Sequence, residues 1–182
     1  MGIITKSRLT TLAEFKRGTR TLSSVINEAK NENKNLAEVT VFLSHSHEDL
    51  KNGNIDKAIV LLRSCGVRVY IDSLDSSLPP FTNAETAKKI KDQIKSNKKF
   101  IFLATPNAIN SKWCNWELGF GDAYKYIDHI ALFPIADDSS TWNGNEYLRI
   151  YSRIEESDFT TNYFKVIYPN GSEKSILVWL KG

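Results

Sequence analysis

VTVFLSHSHED, residues Val39 to Asp49, begins as an apolar run and turns polar at Ser44. A strand that helices cover on both faces of a parallel sheet reads as such an unbroken run, because neither face meets water. The polar stretch NENKN at residues 31–35 precedes it and is typical of a connector. We therefore expect the globular domain to begin near residue 38, with a buried strand whose carboxyl end opens into a polar loop.

Three further apolar runs of strand length follow, at residues 67–71, 100–104 and 130–135. Between them, apolar residues recur at helical spacing over residues 55–62 and 84–94. Short apolar strands that alternate with helices predict a right-handed parallel α/β sheet. We expect four to five strands, flanked by helices.

The chain before this sheet carries a different pattern. Apolar residues at helical spacing over residues 7–19 and 22–29 predict two short amphipathic helices. We therefore divide the chain into an N-terminal helical extension at residues 1–37 and a main domain at residues 38–182.

The chain after the sheet is harder to interpret. Residues 142–154 fit a helix with aromatic packing, and residues 163–168 fit a further strand. Asn170-Gly171 is a strong turn signal, after which residues 172–180 return as a strand or a short helix. The tail is therefore predicted to be a hairpin or a strand followed by a helix.

The composition is that of an ordinary globular protein, with 182 residues, 41% of them hydrophobic and 25% charged. No apolar run is long enough to cross a bilayer, and the first residues lack the features of a secretory signal, so we expect a cytoplasmic protein without a membrane partner. Six lysines lie at residues 88–99, but Glu85 and Asp92 accompany them and Phe100 follows at once, which favours a solvated helix face over a nucleic-acid surface. Cys65 and Cys114 lack metal-like spacing and are expected to be reduced core thiols.

Polar segments follow the ends of several predicted strands. They are residues 44–49, Asp72 with the loop at 73–82, and the segment after Thr105. The carboxyl ends of parallel strands meet at one edge of the sheet, where ligands of open α/β sheets bind. The 73–82 loop is long and contains prolines, which favours a lid or contact loop. We therefore expect the functional site at this edge.

SKWCNWELGFGDA, residues Ser111 to Ala123, follows one of these ends. A helix through it places Trp113 and Glu117 on the same face, one turn apart. An aromatic surface beside a partly desolvated carboxylate suits a planar base joined to a sugar. The alternative is a surface glutamate beside half-buried tryptophans.

Other chemistries are less well supported by the sequence. His45 and His47 lie two residues apart in a loop, which is a weak signal for a metal, and we predict no metal site. A Ser-His-Asp hydrolase would need better geometry than Ser44 directly before His45, and the chain has no GxSxG motif. A phosphoacceptor at Asp72 or Asp49 lacks the lysine expected after a late strand. The chain also has no glycine-rich phosphate loop, so loops, aromatics and hydroxyls would have to hold a nucleotide.

Taken together, these segments resemble the TIR (Toll/interleukin-1 receptor) domain family, and in particular bacterial TIR proteins of Thoeris-type antiphage defence. The matching segments are VFLSHSHED at 41–49, GVRVYID at 66–72 and SKWCNWEL at 111–118, in family order and spacing. The resemblance covers about residues 38–136. Within it, the 73–82 loop resembles the BB loop, and Trp113 with Glu117 resembles the WxxxE pattern of members that consume NAD.

The resemblance implies a flavodoxin-like fold and an enzyme that cleaves the nicotinamide to ribose bond of NAD. The product would be ADP-ribose, a cyclic isomer or a conjugate that serves as a second messenger. NAD is the substrate, and no separate cofactor is implied. Glu117 stands at the catalytic position of the family. The candidate substrate-binding residues are Ser44, His45, Asp49, Asp72, Phe81 and Trp113.

The resemblance also implies partners. Family sites are often completed by the BB loop of a neighbouring protomer, so we expect self-association through the apolar loop tip at residues 78–81. A separate effector protein would be reached through the diffusible nucleotide. The alternative is a non-catalytic TIR module that acts by homotypic assembly, and a more distant one is an unrelated flavodoxin-like binder or glycosyl transferase.

Overall fold

The computed structural model describes residues 2–31, 39–75, 83–137, 142, 144–157 and 163–182. The strands are β1 (Ile4–Thr5), β2 (Thr40–Ser44), β3 (Arg68–Tyr70), β4 (Lys99–Ala104), β5 (Ile130–Ala136), β6 (Ser152–Glu156), β7 (Phe164–Ile167) and β8 (Glu173–Ser175). The helices are α1 (Lys6–Arg17), α2 (Leu22–Asn31), α3 (His47–Lys51), α4 (Asn54–Arg63), α5 (Ala84–Ser96), α6 (Pro106–Asn110), α7 (Lys112–Tyr124) and α8 (Ile176–Lys181).

The described strands form one sheet in the order β3-β2-β4-β5-β6-β7-β8, with β1 paired to β5. Strands β3, β2, β4, β5 and β6 run parallel to their neighbours, whereas β7 and β8 are antiparallel additions. This order confirms the flavodoxin-like parallel sheet flanked by helices. The carboxyl ends of β2 and β3 are adjacent, so the segments that follow Ser44 and Tyr70 emerge side by side.

Two apolar layers enclose the sheet. On one face, side chains such as Val41 and Leu43 of β2 pack with Ile55 and Ile59 of α4. On the other face, Phe42, Phe100 and Phe102 pack with the apolar residues of α5 and α7. All these strand residues are buried, which explains the unbroken apolar runs in the sequence.

The N-terminal segment belongs to the same core as the sheet. Ile4 pairs with Ile135 of β5, and the Gly2 carbonyl accepts a hydrogen bond from the Glu156 N–H at 3.1 Å. Leu9 and Leu12 of α1 are fully buried in the α4 layer. The two predicted helices are present as α1 and α2. The two parts share one core, and the division at residue 38 stays a prediction about domain organisation.

The tail corrects one expectation and confirms another. Residues 142–154 were expected to form a helix, but a 3-10 turn at Glu146–Ile150 is followed by β6. The reason is tertiary: β6 pairs with the edge of β5, and Ile154 of β6 is fully buried. The turn at Asn170-Gly171 is confirmed, with Gly171 at φ 82° between β7 and β8. Residues 172–180 form both a strand and a helix.

None of the helices in the described part of the chain has the length and apolar character that a membrane span requires.

Candidate active site

Glu117 lies in the middle of α7, on the side that faces the sheet. The helix begins after Ser111, whose Oγ accepts a hydrogen bond from the Cys114 N–H at 3.3 Å. One turn after Glu117, Gly121 lies against the Phe100 ring, where an added Cβ atom would come within 3.2 Å. This glycine lets α7 approach the sheet closely. As a result, Glu117 is only 2% exposed.

Ser44, the last residue of β2, holds the Glu117 carboxyl group. Its hydroxyl donates a hydrogen bond to Glu117 Oε2 at 2.6 Å. Burial raises the pKa of Glu117 well above the usual carboxyl range, and the negative charge of Asp72 raises it further. Hydrogen bonds from the Ser44 and Trp113 side chains oppose this change. A carboxyl group perturbed by burial and by a second carboxylate is typical of a functional site.

His45 connects the end of β2 with the segment after β3. Its Nδ1 lies 3.1 Å from the Leu43 carbonyl and its Nε2 lies 3.0 Å from Ser73 Oγ. A carbonyl only accepts hydrogen bonds, so the proton is on Nδ1, and burial lowers the pKa of His45, which favours the neutral ring. Nε2 then accepts a hydrogen bond from the Ser73 hydroxyl. The His45 imidazole therefore holds the Ser73 side chain in place next to Asp72.

Asp72 supplies a second carboxylate at the same edge of the sheet. It opens a 3-10 turn two residues after the end of β3, and its Oδ1 accepts a hydrogen bond from the Ser73 N–H at 2.8 Å. The same oxygen lies 3.6 Å from His45 Nε2. Because β3 neighbours β2, this carboxylate lies close enough to Glu117 to raise its pKa. Asp72 is partly exposed, so it can accept hydrogen bonds from a ligand.

Trp113 lies one turn before Glu117, as its spacing predicts. The half-buried indole stacks on Trp116 with ring centroids 4.7 Å apart. The ammonium group of Lys91, on α5, lies 5.5 Å from the Trp116 ring centroid. A hydrogen bond from the Trp113 side chain favours the charged form of Glu117. Trp113 thus combines a ring surface with a direct interaction with the carboxyl group.

Asp49 and Phe81 do not join this cluster in the described structure. Both carboxylate oxygens of Asp49 accept hydrogen bonds, from Thr105 Oγ1 at 2.6 Å and from Asn107 Nδ2 at 3.3 Å. These bonds connect α3 to the start of α6, and a role for Asp49 in substrate binding stays a prediction. Phe81 and the rest of residues 76–82 lie outside the described residues, so the assignment of Phe81 also stays a prediction.

Two contributors to the site were not found from the sequence. Ser73 directly follows Asp72, and this adjacency was the available signal. Cys114 lies three residues before Glu117, hence near it on the helix surface. Its Sγ lies 3.1 Å from the His45 carbonyl, and burial raises its pKa to about 12, so the thiol donates this hydrogen bond. The bond ties α7 to the polar segment after β2.

The structure thus gathers Ser44, His45, Asp72 and Trp113 around Glu117, whereas their roles towards a substrate stay predictions. Within the described residues Glu117 forms no salt bridge, and no three His, Cys, Asp or Glu side chains are arranged to hold a metal. The cluster offers a protonatable carboxyl group, a second carboxylate, hydroxyl groups and an aromatic ring. Such a set can stabilise positive charge that develops on a bound sugar.

The chain is similar to known proteins. The family model described as "TIR domain" matches residues 41–165. A protein of Bacillus cereus (strain MSX-D12), named "Probable 3' cyclic ADP-D-ribose synthase ThsB'", is 30% identical over 144 residues, which cover 74% of this chain and 69% of that protein. A protein of Pinctada imbricata named "Toll-like receptor 4" is 24% identical over 147 residues, which cover 79% of this chain and 15% of the receptor.

Proposed function

The chain belongs to the TIR domain family, and on that premise we propose that it cleaves the nicotinamide to ribose bond of NAD and forms a cyclic ADP-ribose isomer. The observation that carries this proposal is the Glu117 carboxyl group, buried at the ligand-binding edge of the sheet and bound by Ser44. The cyclic product is supported by the name of the Bacillus cereus relative, a probable 3' cyclic ADP-D-ribose synthase. The cycle would act as a messenger in antiphage defence.

The chemistry requires a negative charge near the ribose. When the C1'–N bond breaks, its electron pair leaves with nicotinamide, and positive charge builds on C1' and the ring oxygen. A carboxylate held beside this ring stabilises the transition state more than the ground state, because the charge is largest there. Glu117 occupies this position in the proposal, and Asp72 and the Ser73 hydroxyl would bind ribose hydroxyls.

The raised pKa of Glu117 has a consequence for this step. The neutral acid would contribute little, so the carboxylate must form before the bond breaks. The nicotinamide ring of NAD carries a positive charge, and such a charge nearby favours ionisation of a carboxyl group. We therefore expect kcat/KM to rise with pH as Glu117 ionises in the free protein, above the pH at which an exposed glutamate would do so.

The group that attacks C1' determines the product. Attack on C1' by water gives ADP-ribose, whereas attack by a hydroxyl oxygen of the same molecule gives a cyclic isomer, and each route releases one proton. Exclusion of water around the bound NAD would favour the intramolecular route. Self-association, a cytoplasmic location and a separate effector reached by the diffusible cycle are parts of the same proposal.

Replacing Glu117 with glutamine tests the proposal. The amide oxygen can still accept the Ser44 hydrogen bond, but the negative charge is lost. We expect nicotinamide release from NAD, followed by liquid chromatography, to fall by roughly 10²–10³-fold. Glu146→Gln, a change at an exposed glutamate, is the matched control and should keep full activity. Activity in the Glu117→Gln protein equal to that of this control would overturn the proposal.

One observation favours a second candidate, a TIR module that acts only by assembly. The Ser44 to Glu117 hydrogen bond joins β2 to α7, and a purely structural glutamate would make the same contact. In that case the unaltered protein would release no nicotinamide from NAD at any protein concentration, and Glu117→Gln would change only the free energy of unfolding. The assay above separates the two candidates.

A further inference from the structure

A cavity of about 310 Å³ lies at the outer edge of β3, the end strand of the sheet among the described residues. It lies between α2 and α5, which flank this edge. Its polar lining comprises Lys30, Arg68, Tyr70, Asp75 and Gln93, and apolar side chains such as Ile59 complete the wall. This volume lies at the lower end of the range for small-molecule sites in proteins. The cavity is separate from the cluster around Glu117.

Arg68 lines the cavity and has a hydrogen-bond donor that needs an acceptor. Its Nε is buried and has no hydrogen-bond partner within the described ranges. A buried donor of a charged group that lacks an acceptor is unfavourable, so an anion that reaches this position would be bound favourably. Lys30 of α2 adds a second positive charge to the lining.

The backbone of β3 adds a further donor. The Arg68 N–H bonds the Val39 carbonyl at 3.0 Å, on the side of the strand that faces β2. Backbone groups of successive residues in a strand point to opposite sides, so the N–H of Val69 is directed away from β2 and towards the cavity that Val69 lines. A guanidinium fork beside a backbone N–H is well suited to a phosphate group.

Tyr70 lies between this cavity and the candidate active site. It lines the cavity, and its hydroxyl donates a hydrogen bond to Asp75 Oδ2 at 2.7 Å. The charges of Asp75, Asp72 and Glu117 contribute, after burial, to raising the pKa of Tyr70, so the tyrosine lies within electrostatic range of Glu117. Asp75 gives the near end of the cavity an acceptor for sugar hydroxyls, whereas Arg68 and Lys30 give the far end positive charge.

We propose that this cavity binds the phosphate groups of a nucleotide, with Arg68 as the principal ligand and Lys30 as an auxiliary one. Two sources share this chemistry: the diphosphate of the NAD proposed as substrate, and a separate nucleoside diphosphate that binds independently. The first source rests on the proposed function, whereas the phosphate site itself does not.

Binding is measured in a protein that cannot turn NAD over. ADP is titrated calorimetrically into Glu117→Gln protein and into the same protein with Arg68→Gln, Lys30→Gln or Arg149→Gln added. Arg149 is an exposed arginine outside the cavity and is the matched control. We expect Arg68→Gln to weaken ADP binding at least tenfold, Lys30→Gln about threefold, and Arg149→Gln less than twofold, because a hydrogen-bonded ion pair to phosphate is worth about 1.5–3 kcal/mol.

Equal affinity in the Arg68→Gln and Arg149→Gln proteins, or no ADP binding in any of them, would overturn the proposal. Thermal unfolding of each variant checks the fold. Should Arg68→Gln fail to fold, Arg68→Lys replaces it: it keeps the charge and loses the planar fork, and a loss of affinity below threefold would also overturn the proposal.

Steady-state NAD cleavage by the single Arg68→Gln variant distinguishes the sources. A tenfold rise in KM with kcat within threefold identifies the substrate diphosphate, and an unchanged KM identifies a separate nucleotide. A protein without NAD cleavage would refute the proposed function but leave the calorimetric result intact, so the two failures are distinguishable.

Discussion

Glu117 and Lys99 are buried ionisable residues at opposite ends of the same sheet, and only one of them belongs to the candidate active site. Lys99 begins β4 and is 1% exposed, as little as Glu117. Burial shifts both towards their neutral forms: it raises the pKa of Glu117 well above the usual range and lowers that of Lys99 to about 8. Burial and a shifted pKa alone would therefore mark both residues equally as candidates for a functional site.

Their neighbours differ. The Lys99 ammonium lies 4.6 Å from the centroid of the Trp179 ring, so its main described contact holds α8 against the sheet. Glu117 instead meets a hydroxyl from β2 and a second carboxylate from the segment after β3. Polar groups from separate parts of the chain therefore distinguish the site, and a shifted pKa by itself does not.

The largest expected effect tests the difference between Glu117 and Lys99 directly. Lys99→Met removes a buried ionisable group while keeping a long apolar side chain, as Glu117→Gln removes a buried ionisable group while keeping its shape. We expect Lys99→Met to keep NAD cleavage within about twofold, whereas Glu117→Gln loses roughly 10²–10³-fold. Nicotinamide release at saturating NAD measures both. Equal losses in the two variants would show that the distinction between the two ends of the sheet is wrong.

A smaller effect is expected from the Ser44 hydroxyl, which acts on the ionisation of Glu117. Ser44→Ala removes the hydroxyl that favours the charged form of Glu117, so the pKa of Glu117 should rise further. We expect kcat/KM at neutral pH to fall by about tenfold, as for loss of one hydrogen bond to a charged group, and to recover partly at higher pH. Ser96→Ala, at an exposed serine of α5, is the control. A uniform loss at every pH would contradict this assignment.

The smallest effect concerns stability. Folding raises the pKa of Glu117 above its unfolded value, so the folded protein binds this proton more tightly. The resulting stabilisation is complete below the ordinary glutamate pKa and is lost as pH rises through the raised pKa. Glu117→Gln should therefore match the unaltered protein in Tm at low pH and exceed it at high pH, with roughly 2–4 °C for each kcal/mol. A Tm difference that does not grow with pH would contradict the raised pKa.

Much of the fold could be predicted because its buried strands can be recognised from their apolar sequences alone. The runs at 67–71, 100–104 and 130–135 are apolar throughout, as strands covered on both faces must be. β6 was missed because residues 142–154 contain aromatics at spacing that also fits a helix. Pairing with the edge of β5 settled that segment as a strand, and a local pattern carries no information about such an edge.

The candidate site divides in the same way. The spacing of Trp113 and Glu117 on one helix face could be predicted, because helical periodicity is a local property. Asp49 was grouped with the site from its position in a polar segment. Its contacts to Thr105 and Asn107 depend on where α6 packs, which the sequence does not reveal. Ser73 and Cys114 entered the site through contacts with His45, which also needed coordinates.

The sequence by itself determined the order of buried strands, the edge at which polar segments emerge and the residue types available there. Only the tertiary structure determined the chemical state of Glu117. Its pKa depends on burial between α7 and the sheet, on a hydroxyl 73 residues earlier in the chain and on the charge of Asp72. These effects depend on distances in space, and distances between remote residues exist only once the chain has folded.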